Sequence, residues 1–498
     1  MYEPGFEEFA NMAQRGNLIP VYREILADVE TPVSVLLKLQ EKKHVYLLES
    51  VEGGEKWGRY SFLGSDAGVI FQVRGENIII TEKDRVTKRA HNGDPMQYLR
   101  DLLSRYQPVS VAGLPRFYGG AVGYLGYDMV RYFEKLPGGQ NDDLGLDEAI
   151  FVISDSMMIF DNVRHTIKVV ACAYTEDAES LEESYAASCR KIEDMVKILS
   201  MPAVHQEKDS ADAGEIPFTS NMTEKQYEAV VEKAKEYIAA GDIIQVVLSQ
   251  RFQTECRSNP VDLYRALRFV NPSPYLFFLK LDNATLIGSS PEVMVRLEEQ
   301  TMELRPIAGT RKRGRTEQED RQLSDELLSD EKERAEHVML VDLGRNDLGR
   351  VAQTGSVQVN QYMVVEKYSH VMHLVSNVRA QLARDRDAFD VLAATFPAGT
   401  LTGAPKIRAM EIIDELEPLK RGTYGGAVGY VSFNGNMDFC ITIRTMLVKD
   451  SKVFIQAGAG IVYDSIPEKE HQESLNKARA MLQAVRLAAG GFVIKNGK

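Results

Sequence analysis

The sequence predicts a mixed α and β protein made of two related β-rich halves, and three observations support that prediction. Segments such as "HVYLLES" and "EAIFVISDSMMIFD" have the alternating pattern of β-strands. The charged segment "DAESLEESYAASCRKIEDMVKIL" has the composition of a surface helix. The heptapeptide "YGGAVGY" occurs twice, at 118–124 and 424–430, and each copy is followed by a β-rich pair of segments, which indicates an old duplication.

The length and charge set limits on the class of protein. A chain of 498 residues exceeds one ordinary core, so we expect at least two domains. The composition, 44% apolar and 26% charged, is that of a folded globular protein. The net charge of -13 argues against nucleic acid or an anionic membrane as a partner, and any site for an anion must therefore be local.

The chain shows neither a targeting segment nor a cysteine framework. Its start, "MYEPGFEEFANMAQ", lacks a basic segment followed by an apolar run, and no stretch approaches the roughly 18 apolar residues that span a bilayer, so we expect a cytoplasmic protein. Cys172, Cys189, Cys256 and Cys440 are widely scattered, which argues against both disulfides and a zinc site.

The domain boundary is predicted within "SMPAVHQEKDSADAGEIPFTS", residues 200–220, which is polar, has no apolar period and contains prolines near both ends. This divides the chain into an N-terminal domain, 1–200, and a second domain, 217–490. The second domain opens with a predicted helix, because Thr223 and Gln226 have the spacing of a capping box before an apolar-periodic run.

The two copies of the repeat have different segments after them. Paired glycines in a strand allow close approach of a backbone or a ligand, and the simplest interpretation is a tightly packed sheet corner that is used twice. Only the second copy is followed by Arg444 and by the glycine-rich "QAGAGI". We therefore expect a binding site in the second half and a scaffold or regulator in the first.

Two acidic pairs are candidates for a metal site. Glu333 with Glu336, and Glu470 with Glu473, stand at i and i+3 on predicted helices, so each pair shares one helix face. Bringing both pairs into one cleft requires a cation, and Mg²⁺ is bound by carboxylates together with waters and substrate oxygens. The alternative is two solvated helices.

Other residues are candidates for proton transfer and anion binding. "VEKYSHVMHLVSNV" has the pattern of a strand, so only one of His370 and His373 can face a given site, where it could transfer a proton or be a structural histidine. "FPAGTLTGAPKIRAMEII" places small and hydroxyl residues at a helix entrance, and "GAG" at 458–460 exposes backbone donors near Arg444. Together these features suit a small anion with more than one carboxylate.

The motifs together resemble the chorismate-utilising enzymes. "PIAGTRKRG", "AEHVMLVDLGRNDLGR", "YSHVMHLVS", "AGTLTGAPKIRAMEII", "YGGAVGY" and "IQAGAGIVYDS" occur in order over about 218–487. "LLES", "GRYSFLG" and "YGGAVGYLGYD" resemble the regulatory segment of the anthranilate-forming members. The resemblance implies an α+β fold in which large antiparallel sheets pack as a sandwich with helices outside. It also implies a catalytic domain that binds chorismate and Mg²⁺.

The resemblance implies roles for individual residues in the catalytic domain. His373 matches a catalytic histidine, which would act as general acid, and Thr400 a hydroxyl beside the ring. Mg²⁺ would be bound by Glu336 and Glu473, with Glu333 and Glu470 as nearby partners. The positions expected to hold the carboxylates of chorismate are Gly309, Thr310, Tyr424, Arg444, Gly458, Ala459 and Gly460.

Two positions favour an amination with ammonia. Members that form aminodeoxychorismate with a lysine nucleophile carry it where this chain has Ala308, and isochorismate-forming members carry a water-activating lysine where it has Gln245. Without either lysine, the site suits ammonia, which implies conversion of chorismate to anthranilate and pyruvate in tryptophan biosynthesis.

The resemblance also implies partners. Ammonia would come from a separate glutamine amidotransferase subunit, and tryptophan would act as a feedback inhibitor bound by Glu49, Ser50, Pro274, Tyr275 and Leu276. The alternatives are a sister enzyme that forms aminodeoxychorismate or isochorismate, and a non-catalytic tryptophan-sensing subunit.

Overall fold

The computed structural model describes residues 1–50, 58–66, 68–83, 85–203, 216–368 and 371–492. Most of the predicted linker, 204–215, lies outside the described residues. The helices in these ranges are α1 Phe6–Met12, α2 Pro32–Leu39, α3 Pro95–Ser104, α4 Leu181–Leu199, α5 Glu224–Ala239, α6 Pro260–Val270, α7 Glu317–Ser329, α8 Glu331–Gly349, α9 Ala388–Thr395, α10 Lys406–Leu416 and α11 Pro467–Ala489.

The strands fall into two large sheets. They are β1 Leu18–Leu26, β2 Val45–Glu49, β3 Tyr60–Ser65, β4 Val69–Arg74, β5 Asn77–Glu82, β6 Arg85–Ala90, β7 Gly120–Leu125, β8 Ala149–Ser154, β9 Ser156–Asp161, β10 Thr166–Tyr174, β11 Thr219–Ser220, β12 Gln245–Glu255, β13 Tyr275–Leu281, β14 Ala284–Ser290, β15 Val293–Glu298, β16 Thr301–Leu304, β17 Ile307–Lys312, β18 Gln358–Lys367, β19 Val371–Gln381, β20 Gly403–Ala404, β21 Ala427–Ser432, β22 Met437–Ile441, β23 Thr445–Lys449 and β24 Lys452–Ile461.

Each sheet combines strands from both halves of the chain. The first sheet has the order β1-β10-β9-β3-β2-β13-β14-β23-β24-β12-β11, with β20 also paired to β12. The second has the order β17-β19-β16-β15-β22-β21-β7-β8-β4-β5-β6, with β18 also paired to β19. The segments 1–200 and 217–490 therefore share both sheets, and the domain boundary itself stays a prediction.

The core lies between the sheets and under the outer helices. One buried cluster joins Phe277 and Leu286 of the first sheet to Val122 and Phe151 of the second. A second cluster packs the other face of the first sheet against α1, α2, α6 and α11. This confirms the predicted α+β sandwich with helices on the outside, and none of the described helices is long and apolar enough to cross a membrane.

The two copies of the repeat pair with each other. Strands β7 and β21 are antiparallel neighbours in the middle of the second sheet, with Gly123 directly opposite Gly429. These two glycines occupy the same position in each copy, so the pairing of the two copies is symmetric about them. A Cβ at Gly123 would lie 1.9 Å from the carbonyl oxygen of Ile150, and one at Gly429 2.1 Å from that of Asp438. The duplicated glycine therefore permits close strand packing, as predicted.

The helix predictions are also confirmed where the sequence carried start signals. Thr223 and Gln226 form a reciprocal capping box at the start of α5. Pro467 is in the first turn of α11, whose buried residues include Ala478 and Val485. The cysteines are free thiols, with Cys172 and Cys440 buried.

The chain crosses between the sheets twice at one place. Strand β14 of the first sheet ends at Ser290 and β15 of the second begins at Val293, while β22 of the second ends at Ile441 and β23 of the first begins at Thr445. We call the connecting residues, 291–292 and 442–444, the double crossover. The two crossing stretches of chain are hydrogen-bonded to each other, since Ile441 N donates to Glu292 O at 3.1 Å and Ser289 N donates to Arg444 O at 3.1 Å.

A buried ion pair supports the segment beside the double crossover. The guanidinium of Arg421, 1% exposed, donates to both carboxylate oxygens of Glu417 at 2.7 and 2.9 Å. It also donates to the carbonyl oxygens of Leu401 and Val247, at 2.8 and 2.7 Å. Because Leu401, Val247 and Glu417 belong to different elements, this one side chain holds three separate segments of the chain together.

We predict that Arg421→Met destabilises the fold by about 3–5 kcal/mol, because it leaves the Glu417 carboxylate buried without a countercharge. The matched control is Lys197→Met, which removes an exposed pair with Asp194 and should leave the stability nearly unchanged. Urea unfolding followed by circular dichroism measures both. Equal losses in the two variants would contradict the role given to Arg421.

Candidate functional site

The four predicted acidic residues lie on two helices whose acidic faces are neighbours. Glu333 and Glu336 are on α8, and Glu470 and Glu473 are on α11. Burial raises the pKa of the Glu336 carboxyl, and the charges of Glu333 and Glu473 raise it further. The pKa of Glu470 is raised by burial and by Glu473. The structure thus brings together carboxylates from segments more than 130 residues apart.

The donor set of this acidic cluster fits a hard divalent cation. Among the described residues, no three acidic, histidine or cysteine side chains are close enough to form a preassembled metal site. Mg²⁺ does not require one, since it commonly takes one or two carboxylates and completes its shell with water and substrate oxygens. The ammonium of Lys477 is 2.7 Å from Glu473 Oε1 and donates to the carbonyl of Gly458 at 3.0 Å.

Gln245 occupies the wall between the acidic cluster and the glycine-rich strand. Its amide nitrogen donates to Glu336 Oε1 at 3.3 Å. A Cβ on Gly460 would lie 2.5 Å from that nitrogen, so Gly460 leaves the space that the amide fills. The amide oxygen of Gln245 is buried and has no hydrogen-bond partner in the described part of the chain. Gln245 therefore offers an acceptor for a small donor.

Strand β24 presents backbone donors on an open edge. Residues 456–461 continue beyond the last pair with β23, which is Met446 opposite Ile455, while on the other side they pair with β12. The backbone N–H groups of Val247 and Ser249 on β12 point away from β24, to Thr402 and Glu417. The backbone N–H groups of their partner residues Gly460 and Gly458 therefore point away from β12 without a strand partner, whereas Ala459 is hydrogen-bonded to β12. A Cβ at Gly458 would lie 2.3 Å from the carbonyl oxygen of Leu248, so the close packing requires glycine.

Arg444 is the recessed cation of the site. It lies in the double crossover with a φ of 51°, an uncommon backbone conformation for arginine. Its guanidinium makes no hydrogen bond or ion pair of ordinary length with the residues that the structure describes. Burial lowers its pKa, and the nearby Tyr424, Glu473 and Glu292 partly offset that shift. An enclosed guanidinium without a carboxylate partner is a receptor for an anion.

Glu292 is a functional candidate that the sequence reasoning missed. Burial raises the pKa of its carboxyl to about 8, although Thr400, Arg444 and Lys477 lower it. The Thr400 hydroxyl is buried and has no hydrogen bond of ordinary geometry among the described residues, but it lies close enough to affect Glu292. The only sequence signal is an acidic residue after a proline between two strand-like runs, "SSPEVMVRL".

His373 lies on β19, which confirms the strand predicted there, whereas His370 lies outside the described residues. The Nδ1 atom of His373 is 3.1 Å from the carbonyl oxygen of Gly309 and 3.0 Å from the Thr310 hydroxyl. The contact with a carbonyl requires the proton on Nδ1, which leaves Nε2 as an acceptor in the neutral ring. Burial and the charge of Arg444 lower the His373 pKa, although the Gly309 carbonyl and Glu366 raise it.

Gly309 lies at a bulge next to the acidic cluster. The pairing of β17 with β19 shifts register between Ala308 and Thr310, and Gly309 has a φ of 70°. A Cβ there would lie 3.1 Å from Glu333 Oε2 and 3.1 Å from the Leu327 side chain. Arg311, on the same strand, donates to Glu333 at 3.2 Å, a contact that the sequence reasoning did not anticipate.

Tyr424 completes the wall on the side of the repeat. It is 7% exposed, and burial raises its pKa to about 12. The guanidinium of Arg421 lies 5.5 Å from its ring centre. Because Tyr424 and Arg444 flank β21 and β22 of the second sheet, the sheet order brings the hydroxyl and the cation to one end of the cleft.

A separate cavity lies between the two sheets. Its volume is about 360 Å³, and its walls include all five residues predicted to bind tryptophan: Glu49, Ser50, Pro274, Tyr275 and Leu276. Leu276 is directly opposite Glu49 in the pairing of β13 with β2. The Glu49 carboxylate is held by Tyr264 and by Arg268 Nε at 3.1 Å, both on α6. The Glu49 carboxylate therefore faces the outer helix, although the residue belongs to the cavity wall.

Comparisons with known proteins agree with this architecture. Residues 44–483 match the family described as chorismate binding enzyme. The chain is 50% identical to anthranilate synthase component 1 of Aquifex aeolicus over 489 residues, 97% of each chain. It is 47% identical to that of Acetivibrio thermocellus over 497 residues, 98% of this chain and 99% of the relative. The crystal structure of anthranilate synthase component I from Streptococcus pneumoniae has a TM-score of 0.77 and 38% identity, and the match covers 92% of this chain and 99% of that one.

We predict that Gly309→Ala destabilises the protein more than Gly355→Ala. Both positions have positive φ, 70° and 80°, so each alanine adds backbone strain of about 1–2 kcal/mol. Only Gly309 has crowded surroundings, since nothing lies within 4 Å of a Cβ at Gly355, and crowding should add about 1 kcal/mol or more. Chemical unfolding of both variants measures the difference. Equal losses in the free energy of unfolding would show that the space around Gly309 accommodates a methyl group.

Proposed function

The chain belongs to the chorismate-binding enzymes, and on that premise we propose that it converts chorismate and ammonia to anthranilate and pyruvate, as the large component of an anthranilate synthase. The observation that most supports amination is the environment of Gln245. Its unpartnered amide oxygen lies beside the acidic cluster, at the position where a lysine would activate water. Ala308, 8% exposed and paired with Leu374, removes the other candidate nucleophile.

Chorismate would be bound through its two carboxylates. The Arg444 guanidinium and the open backbone N–H groups of Gly458 and Gly460 are the donors for one of them, with Tyr424 and Ala459 beside them. Gly309 and Thr310 belong to the opposite wall. When bound, Mg²⁺ would be held by Glu336 and Glu473, with Glu333 and Glu470 adjacent, and would neutralise substrate negative charge as a Lewis acid.

The reaction is an addition followed by an elimination. Ammonia adds at ring carbon C2, the C4–oxygen bond breaks, and the leaving hydroxyl takes a proton and departs as water. The C3–oxygen bond of the aminated intermediate then breaks with loss of the C2 hydrogen, which releases pyruvate and leaves anthranilate. Gln245 would accept a hydrogen bond from ammonia and hold it at C2.

We assign the proton for the departing hydroxyl to Glu292. A carboxyl with a pKa of about 8 is protonated at neutral pH and can act as a general acid, and Thr400 and Arg444 lie beside it. The resemblance described in the sequence analysis implied that His373 donates this proton. Its lowered pKa and its Nδ1 contact with Gly309 suit it better to accept a proton at Nε2, in the elimination step.

Two partners accompany this function. The relatives are named component 1, which supports a separate glutaminase subunit as the source of ammonia. L-Tryptophan is proposed as the ligand of the cavity between the sheets, since about 360 Å³ with aromatic and charged walls suits an aromatic amino acid. The residues of this cavity come from both 1–200 and 217–490, so its ligand would contact both segments.

The first test is product analysis with the purified chain, chorismate, ammonium salt and Mg²⁺. We expect fluorescent anthranilate and pyruvate in equal amounts. Chelation of the metal should abolish turnover and added Mg²⁺ restore it. A product that keeps the enolpyruvyl group would instead identify an aminodeoxychorismate or isochorismate synthase, and no turnover at all would favour the tryptophan-sensing subunit. Turnover that survives chelation would contradict the metal assignment alone.

The second test concerns the general acid. Because the raised pKa keeps Glu292 protonated at neutral pH, activity at constant free ammonia should fall as pH rises through about 8. Glu292→Gln should lower kcat by roughly 10²- to 10⁴-fold and remove this alkaline limb. Glu303→Gln is the control, since Glu303 is a buried carboxylate paired with Arg379 at 2.8 Å and lies on another strand. If the limb disappears in His373→Asn but persists in Glu292→Gln, the proton belongs to His373.

A further inference from the structure

The acidic cluster is paired with cations that the chain itself supplies. Arg311 Nη1 lies 3.2 Å from Glu333 Oε1, and Lys477 Nζ lies 2.7 Å from Glu473 Oε1. Both cations are partly exposed, with 27% and 32% of their side-chain surface accessible. A carboxylate that is paired with a cation is a weaker ligand for a second cation, because the two positive charges repel each other. Neither Arg311 nor Lys477 has a role in the proposed reaction.

Lys477 acts on more carboxylates than its own partner. It lies one helical turn after Glu473 on α11, and its ammonium also donates to the carbonyl oxygen of Gly458 at 3.0 Å. Burial raises the pKa of Glu336 and of Glu292, and the charge of Lys477 partly offsets both shifts. Lys477 is therefore within electrostatic range of both carboxylates proposed to hold Mg²⁺ and lies against the strand that carries the substrate donors.

Arg311 has the corresponding place on the opposite wall. It belongs to β17, directly after Thr310, and its Nη1 also donates to the carbonyl oxygen of Thr310 at 3.0 Å. Its Nη2 donates to Asp330 Oδ2 at 2.6 Å, and the other carboxylate oxygen of Asp330 accepts from the backbone N–H of Glu333 at 3.2 Å. The guanidinium therefore lies between the first turn of α8, which carries Glu333, and the strand proposed to contact the substrate.

A cation in this position has opposite effects on the two proposed ligands. It repels Mg²⁺ and attracts a dicarboxylate such as chorismate, whereas the acidic cluster does the reverse. Four ionised carboxylates carry more negative charge than one divalent ion neutralises, and the remainder repels an anionic substrate. Arg311, Lys477 and Mg²⁺ together carry four positive charges, which balance the four carboxylates of the acidic cluster.

We propose that Arg311 and Lys477 set the charge balance of the cleft: each weakens binding of the divalent cation at the acidic cluster and strengthens binding of the dicarboxylate substrate. This inference rests on the proposed function. The two cations oppose tight binding of Mg²⁺ before the substrate has entered, and they lower the repulsion that the substrate carboxylates meet. Binding of the metal and binding of the substrate then favour each other, since each supplies the charge that the other requires.

The test measures metal binding and substrate binding separately, by calorimetry and without ammonia, so that no amination takes place. Lys477→Met and Arg311→Met keep most of the alkyl chain and remove the charge. In each variant the Kd for Mg²⁺ without chorismate should fall by roughly 3- to 30-fold, and the Kd for chorismate at a saturating Mg²⁺ concentration should rise by a similar factor. Both shifts should shrink in high salt, because both cations are partly exposed. A residue that only stabilises the fold would weaken binding of both ligands when it is replaced, so opposite shifts identify the charge effect.

Arg479→Met and Arg313→Met are the matched controls, because each removes one positive charge from the same part of the chain. Arg479 is exposed and lies two residues after Lys477, on the other side of α11, and Arg313 pairs with Asp320 at 2.6 Å. Both controls should bind Mg²⁺ and chorismate like the parent chain. If a methionine variant does not fold by circular dichroism, Lys477→Gln or Arg311→Gln replaces it.

Unchanged or weaker Mg²⁺ binding in Lys477→Met and Arg311→Met would overturn the proposal, as would unchanged chorismate binding. A parent chain that forms anthranilate, with variants that lack the opposite shifts, defeats this inference alone. If the opposite shifts are found but the parent chain forms no anthranilate, the proposed reaction fails while the charge balance stands.

Discussion

The constraint on which the structure depends is the covalent link between two sheets that pack face to face. Burial of a shared apolar core fixes the separation of the sheets, and the chain must cross that separation wherever consecutive strands belong to different sheets. Two such crossings lie side by side and are hydrogen-bonded. Residues there cannot follow a regular ladder, which explains why Arg444 adopts a positive φ.

The side chains of the cleft differ in their charge and in the direction in which burial shifts their pKa. The chain as a whole is acidic, yet the cleft encloses a guanidinium without a carboxylate partner among the described residues. Burial acts in opposite directions on neighbouring groups: it raises the pKa of Glu292 and lowers that of His373, because in each case it disfavours the charged form. Near pH 7 the Glu292 carboxyl is therefore protonated and the His373 imidazole is neutral, and both groups lie within the electrostatic range of Arg444.

The same arrangement explains how the two halves of the chain depend on each other. The repeated heptapeptide pairs with itself at Gly123 and Gly429, so the halves are joined at the centre of the second sheet. In the first sheet, Glu49 of the N-terminal segment pairs with Leu276 of the segment 217–490. The cavity between the sheets is built from both halves, and a ligand there necessarily contacts the strands that lead to the cleft.

The sequence by itself determined the elements and the family. Capping at Thr223, the strand around His373 and the two acidic helix faces follow from local patterns, because each depends on residues a few positions apart. Only the tertiary structure decided that strands from both halves share each sheet, and that Glu292 lies beside Thr400 and Arg444 in an enclosed setting. Burial depends on which distant segments pack around a residue, and no local pattern records that, so the altered acidity of a single glutamate emerges only from the folded chain.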